Sequence, residues 1–162
     1  IAECQEHLLL RRYDRIEKLI WDLLVAGTFS VSNEFGVVHT DTFDIQTYDA
    51  TTWSTVATST PLVDFRAIQL LGRGTSNKFD AAAGAKAYMS RATFNYLVAN
   101  TNANDIAGRR VTGLLSPLTL NEINVILLGE GLPTIEIYDE GYLDSNGTFQ
   151  LFIPINNILL TN

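Results

Sequence analysis

Cysteine is nearly absent from this chain of 162 residues, which contains only Cys4. A single cysteine excludes an internal disulfide bond, and with only two histidines the chain lacks the clustered Cys and His ligands of a structural zinc site. Such low cysteine use is typical of proteins from a reducing compartment. The sequence therefore predicts neither a disulfide framework nor a zinc-stabilised fold.

Positive charge and long apolar runs are also scarce. Lys and Arg total 11 against 18 for Asp and Glu, which gives a net charge of -7 and disfavours DNA phosphate binding as the main task. Asp22 interrupts the longest apolar run, which stays well short of the roughly 20 residues of a membrane-spanning helix. The first residue is Ile1, and no signal-peptide pattern follows it. We expect no membrane span and a chain that begins inside a longer protein.

The segment from Cys4 to Ala26 has a helical pattern. Arginine, lysine and acidic residues lie mostly between apolar positions that recur at three- and four-residue steps: Leu9, Tyr13, Ile16, Ile20, Leu23 and Leu24. Gly27 follows as a C-terminal cap candidate, because glycine readily adopts the left-handed conformation. The pattern predicts one long amphipathic helix. Such a helix could either pack on the core or lie exposed on the surface.

Beyond Gly27 the pattern mixes strands and helices. Residues 29–45 alternate β-branched or aromatic with polar side chains, and residues 50–59 form a polar crossing. Thr60, Ser90 and Thr119 are N-cap candidates for three further helices. The order is not a regular strand-helix-strand alternation, so the predicted fold class is α+β.

A hairpin is predicted near the end of the chain. One strand contains Ile135 and Ile137, the other spans residues 149–153, and residues 144–147 supply the turn. A final strand is predicted at residues 158–160.

Candidate catalytic and metal sites are weak. His39 is flanked by Asp41 and Asp44, as an oriented general base would be, but no nucleophile motif accompanies it. The glycines at 72, 74 and 84 lack the order of a phosphate-binding loop. Four acidic residues could offer oxygen ligands to a cation, although their spacing departs from the EF-hand pattern: Glu136, Asp139, Glu140 and Asp144. We therefore predict no catalytic residue, no cofactor and no metal, and a protein that is not an enzyme.

A family resemblance covers nearly the whole chain. Its segments, in order, are LIWDLLVAGTFSV, then Trp53 with TPLVDFRAI, then GAKAYMSRATFNYLVANTN, and last LPTIEIYDEGYLD with FIPINNILL. In this order and spacing the chain resembles the phage major capsid protein E family, the lambda type of major capsid protein. The resemblance implies the tailed-phage capsid fold, which herpesvirus shells share.

That resemblance predicts two domains and a structural role. Residues 1–55 would contribute a long spine helix and strands to a peripheral domain, and residues 56–162 would form a compact axial domain. The protein would be the subunit of an icosahedral tailed-phage or prophage head, assembling into hexamers and pentamers that enclose DNA. Relative to the family pattern, the N-terminal arm, the extended loop and the C-terminal end are missing, so this chain alone is expected to be a monomer or weak oligomer.

The implied partners are copies of the same chain, with scaffolding, decoration and portal proteins, and packaged DNA contacted only non-specifically. Assembly is expected in the bacterial host cytoplasm, and the final location is the virion capsid. Subunit contacts are predicted at six arginines, of which the last two could instead touch nucleic acid: Arg11, Arg12, Arg15, Arg73, Arg109 and Arg110. The alternatives are an encapsulin-like nanocompartment shell and an unrecognised hydrolase.

Overall fold

The computed structural model describes residues 2–33, 35–50, 52–73, 78–100, 118–144 and 146–162. Within these ranges the chain is a mixture of helices and small sheets, which confirms the predicted α+β class. It divides into two compact units, one formed by residues 1–47 and 140–154 and the other by residues 48–139 and 155–162.

The first unit contains one long helix and two hairpins. Helix α1 spans Ala2–Ala26, strands β1 (Thr28–Asn33) and β2 (Gly36–Thr42) pair antiparallel, and strands β5 (Gly141–Leu143) and β6 (Phe149–Leu151) form the second hairpin. A bulge between Val31 and Ser32 shifts the register of the first hairpin.

Gly27 ends α1 as predicted, at a φ of +68°. Its N–H donates to the carbonyl of Leu23 at 2.9 Å, and its carbonyl accepts from the N–H of Phe43 at 2.6 Å. A Cβ at this position would lie 2.8 Å from the carbonyl oxygen of Phe43. Both the left-handed conformation and this close approach therefore require glycine.

The second unit is built around a three-stranded sheet in the order β4-β3-β7. Strand β3 (Lys86–Met89) lies in the centre, parallel to β4 (Thr134–Ile137) and antiparallel to β7 (Ile158–Thr161). The described residues of the same unit include three α-helices, α2 (Pro61–Leu71), α3 (Arg91–Ala99) and α4 (Leu120–Gly129), and a short 3-10 helix at Ala81–Ala83. Their apolar side chains form its core, in which Phe65, Met89, Leu97, Leu127 and Ile135 are buried.

Two of the three N-caps form as predicted. The hydroxyl of Thr119 accepts from the N–H of Glu122, and the Glu122 carboxylate accepts from the N–H of Thr119 at 2.7 Å, which completes a capping box. Ser90 accepts from the N–H of Thr93 at 3.3 Å. Thr60 precedes Pro61 at the start of α2 but makes no side-chain cap bond.

The predicted hairpin between residues 135–137 and 149–153 is wrong. Ile135 and Ile137 pair in parallel with Ala87 and Met89 of β3, about fifty residues earlier in the chain. Residues 144–147 do connect two antiparallel strands, but these are β5 and β6. The alternating pattern located the strand correctly and could not identify its partner, because the true pairing is non-local.

Candidate assembly surface

One side of α1 contacts the hairpins of the first unit. The Lys18 ammonium lies 4.9 Å from the centre of the Tyr142 ring, and the Trp21 ring stacks on Phe152 with 6.3 Å between centroids. One turn earlier, Nη2 of Arg15 donates to the carbonyl of Ser32 at 3.2 Å. The spacing of three residues places Arg15, Lys18 and Trp21 on one face. This face combines one aromatic ring with long side chains whose apolar stems can cover a surface.

Lys18 also bonds to Asp22 one turn later on the same face. Charged pairs at this spacing are neighbours on a helix surface and add a small stabilisation. With a ring on one side and a carboxylate on the other, the Lys18 ammonium has two favourable contacts that hold its stem along the helix.

The opposite side of α1 carries the apolar stripe, defined here as Leu9, Tyr13, Ile16, Ile20 and Leu24. All five are exposed, from 40% for Leu24 to 65% for Tyr13. Because an α-helix turns through roughly 100° per residue, Ile16 and Ile20 each lie roughly 200° from Lys18. Within the described parts of the chain, α1 therefore contacts its own unit with its more polar side and leaves its apolar stripe in solvent.

This orientation differs from the usual one, in which the apolar face of an amphipathic helix covers the core. Leu8 and Leu10 widen the exposed area, and the stripe extends over roughly 24 Å of helix, at 1.5 Å per residue. Contiguous apolar patches of this kind on a folded protein typically mark a surface that binds another macromolecule.

The predicted contact arginines are distributed over several places. Arg11 and Arg12 are exposed on α1, Arg12 beside the apolar stripe and Arg11 on the side of Lys18. Arg73 is exposed just after α2. Arg15 already uses one nitrogen within its own chain, at the carbonyl of Ser32. Arg109 and Arg110 lie outside the described residues. The role of all six in subunit contacts stays a prediction.

The candidate base His39 is on an open strand. Its Nε2 lies 2.8 Å from the Asp41 carboxylate, and its ring tilts against Phe29 at 6.3 Å. Both members of the polar pair are about half exposed, with side-chain exposures of 59% and 48%. Asp44 follows β2 and is exposed. This geometry orients an imidazole without a closed cavity around it.

Three of the four acidic residues considered as cation ligands have separate local partners. Glu136 accepts from the Lys86 ammonium at 2.6 Å across the β3–β4 pair, and this bond raises the pKa of Lys86. Asp139 accepts from the backbone N–H of Arg91 at 2.6 Å, at the start of α3. The Asp144 carboxylate accepts hydrogen bonds from the backbone N–H groups of Thr148 and Asn146. These bonds, that from Thr148 most, lower the pKa of Asp144. These three carboxylates thus stabilise a strand pair, a helix start and a turn, respectively.

Buried polar contacts that the sequence pattern did not indicate hold the second unit together. Asp64 is buried and accepts from the Trp53 indole N–H at 2.9 Å. Asn100 is fully buried and its side-chain amide donates to the carbonyls of Val56 and Ser59, at 3.1 and 2.9 Å. An asparagine at a helix end normally indicates only a cap, so no local signal could have identified this role.

Within the described ranges, no group of three or more His, Cys, Asp or Glu side chains is placed to hold a metal ion. No helix in these ranges is both long and apolar enough to cross a membrane.

Comparison with known proteins gives one family match. The family model described as phage major capsid protein E matches residues 24–162, which is more than half of the chain. The match includes the last residues of α1, the rest of the first unit and the whole of the second unit. No curated protein matches the chain.

Proposed function

This chain belongs to the phage major capsid protein E family, and from that premise we propose that its copies assemble into the hexamers and pentamers of an icosahedral tailed-phage or prophage head that encloses DNA. Membership of this family makes the chain a structural subunit of a phage capsid, located in the virion. Capsid families are not enzyme families.

The observation that carries the proposal is the exposed apolar stripe of α1. Tyr13 and Ile20 are more than half exposed, on a helix that contacts its own unit with the other side. An exposed stripe of this length is costly for a subunit that works alone, since burying apolar surface contributes about 25 cal/mol per Å². A shell subunit regains that free energy on assembly.

The domain assignment is also proposed. Helix α1 and its following strands, within residues 1–55, would belong to the peripheral domain of the tailed-phage fold, and the β4-β3-β7 sheet with its helices, within residues 56–162, to the axial domain. The grouping of α1 with β1 and β2 in one unit, and of that sheet with α2 to α4 in the other, supports this assignment. Residues 140–154, which lie within 56–162, group with the first unit instead.

The proposed partners are other copies of the subunit, with scaffolding, decoration and portal proteins, during assembly in the bacterial cytoplasm. The net charge of -7 supports DNA contact that is non-specific and secondary. That the subunit has further segments, an arm and an extended loop, stays a prediction, and mass spectrometry of the subunit from purified virions tests it.

Electron microscopy of the full-length protein, expressed in bacteria with its neighbouring head proteins, tests the proposed function. We expect closed shells of uniform diameter that contain hexamers and pentamers and take up DNA. Shells that form without head proteins and enclose a protein cargo would favour an encapsulin-like compartment instead. A soluble species that turns over an ester or peptide substrate and loses this activity in His39→Ala would favour the hydrolase.

A further inference from the structure

We propose that Asn146 is a site of self-modification, converted without an enzyme to aspartate and isoaspartate, and that Asp144 controls the rate of this conversion. The inference does not depend on the proposed function, because it concerns the chemistry of one turn within the first unit. It adds a modified residue and a change of charge.

The sequence of this turn contains the reactive pair. Asn146 is followed by Gly147, and no other asparagine of the chain precedes a glycine. The reaction requires the backbone nitrogen of the next residue to reach the side-chain amide of the asparagine. Glycine permits this approach best, because it has no Cβ and can adopt many backbone conformations. The other asparagines within the chain precede larger residues and should react much more slowly.

The structure leaves the pair open to solvent. Asn146 and Gly147 are both exposed, in the connection between β5 and β6. Gly147 has a φ of +76°, and a Cβ at this position would have no contact within 4 Å beyond its chain neighbours. Packing against the rest of the described chain therefore does not prevent Asn146 from reacting.

The reaction needs only water and a base. After Gly147 N loses its proton, that nitrogen attacks Cγ of Asn146. A new N–C bond forms, and the side-chain nitrogen takes up a proton and leaves as ammonia. One water molecule then opens the cyclic succinimide at either of its carbonyls, which gives aspartate or isoaspartate. No oxidant or reductant takes part, and the product carries one more negative charge at neutral pH.

The hydrogen bonds of the turn oppose this reaction. The N–H of Gly147 donates to the carbonyl of Asp144 at 3.0 Å, so the nucleophile must leave this bond before it attacks. The Asp144 carboxylate accepts from the N–H groups of Asn146 and Thr148, both at 2.9 Å, which holds the turn closed. Hydrogen bonds to an ionised acceptor are stronger than those to a neutral one. Asp144 thus restricts the reaction to the moments when the turn opens.

The product should loosen the hairpin. A carboxylate at position 146 lies two residues from Asp144 and repels it, and isoaspartate lengthens the backbone of a turn that joins Leu143 to Phe149 in register. Strand β5, next to this turn, contains Tyr142, whose ring contacts the Lys18 ammonium of α1. The modification therefore weakens the contact between this hairpin and α1 inside the first unit.

Peptide mass spectrometry of the folded full-length protein, incubated at mildly alkaline pH, tests the site. We expect deamidation at Asn146 and none over the same period at Asn95, which is exposed on α3 and precedes Tyr96. Asp144→Ala should raise the rate at Asn146 about tenfold, because it removes two hydrogen bonds to a charged acceptor. The matched control is Glu140→Ala, which removes an exposed carboxylate outside the turn and should leave the rate unchanged.

A second variant and a second state of the chain complete the test. Asp144→Ser should give an intermediate rate, since a serine hydroxyl accepts such bonds more weakly, and it provides the comparison if circular dichroism shows that Asp144→Ala is unfolded. In guanidinium chloride, where the turn is absent, Asn146 should react equally fast in wild type and in both Asp144 variants.

Two results would overturn the proposal. If Asn146 stays intact in the folded wild type and the folded Asp144 variants while the unfolded chain reacts completely, Asn146 is not a modification site of the folded protein. If folded wild type and the folded Asp144 variants react at the same rate, Asp144 does not control the reaction. Either result leaves the capsid function untouched, because shell formation is not measured in this experiment.

Discussion

The side-chain amide of Asn124 pairs with both backbone polar groups of Ile135. The N–H of Ile135 donates to Oδ1 at 2.7 Å, and Nδ2 donates to the Ile135 carbonyl at 3.1 Å. Ile135 lies in β4, an outer strand of the β4-β3-β7 sheet. Asn124 of α4 thus takes the place of a neighbouring strand and blocks one point at which another chain could add to this edge.

Asn124→Ala should lower the free energy of unfolding by about 1–3 kcal/mol, because it leaves a part-buried N–H and carbonyl of Ile135 without these partners. Urea denaturation followed by circular dichroism measures the change. Asn121→Ala is the matched control, since Asn121 is exposed on the same helix. Equal effects of the two substitutions would show that the Asn124 bonds add no net stability.

A second prediction concerns Asn100, whose amide donates to the carbonyl of Ser59 at 2.9 Å and to its hydroxyl at 2.9 Å. Asn100→Ala should cost about 2–4 kcal/mol, since it removes several buried hydrogen bonds at once. The comparison is Asn95→Ala, an exposed position on α3. A loss for Asn100→Ala no larger than that of the control would contradict the assigned role.

The Lys86–Glu136 pair predicts a pH dependence at the alkaline end. The hydrogen bond and charge of Glu136 raise the pKa of Lys86 above 10.5. A raised pKa means that the stabilisation is fully present below the unfolded-state pKa and is lost as pH rises through the folded-state pKa. Glu136→Gln should therefore reduce stability at neutral pH, and its difference from wild type should shrink as Lys86 loses its proton.

The control for this titration is Glu130→Gln, which removes the exposed ion pair with Arg66. Arginine keeps its proton throughout this pH range, so the effect of Glu130→Gln should not change over it. Denaturant midpoints measured from neutral pH to above pH 10.5 compare the two variants. The assignment to Lys86 fails if both differences follow the same pH profile.

A fourth prediction separates the two sides of α1. Leu23 is half-buried and Ile20 is exposed. Leu23→Asp should destabilise the first unit by about 1–3 kcal/mol, because the carboxylate must be partly desolvated. Ile20→Asp should leave the thermal midpoint of the unassembled chain nearly unchanged. The reverse ranking in a thermal melt would mean that the stripe is covered within the chain.

Local signals predicted the elements that depend on short-range chemistry. The apolar spacing from Leu9 to Leu24 located α1, Gly27 marked its end, and Thr119 with Glu122 located the start of α4. The side of α1 that contacts its own unit was not predictable, because that choice depends on the Tyr142 and Phe152 rings more than a hundred residues later. Periodicity identifies an apolar face and does not say whether its partner lies in the same chain.

The same limit applies to pairings and contacts. Ile135 lies in a strand as predicted, but its partner is Ala87, and its edge contact is Asn124. Arg15 is one of six arginines predicted for subunit contacts, yet its bond to Ser32 depends on how the first hairpin folds back on α1. Sequence patterns located these residues without determining their contacts, because the contacts form between distant segments.

The most direct test of the capsid assignment is cryo-electron microscopy of particles made by the full-length protein. The account predicts closed shells whose hexamers and pentamers have density for the β4-β3-β7 sheet and its helices, with α1 lying against a neighbouring copy. A protein that stays in small, non-repeating species under conditions that support head assembly, including the presence of its scaffolding partner, would contradict it.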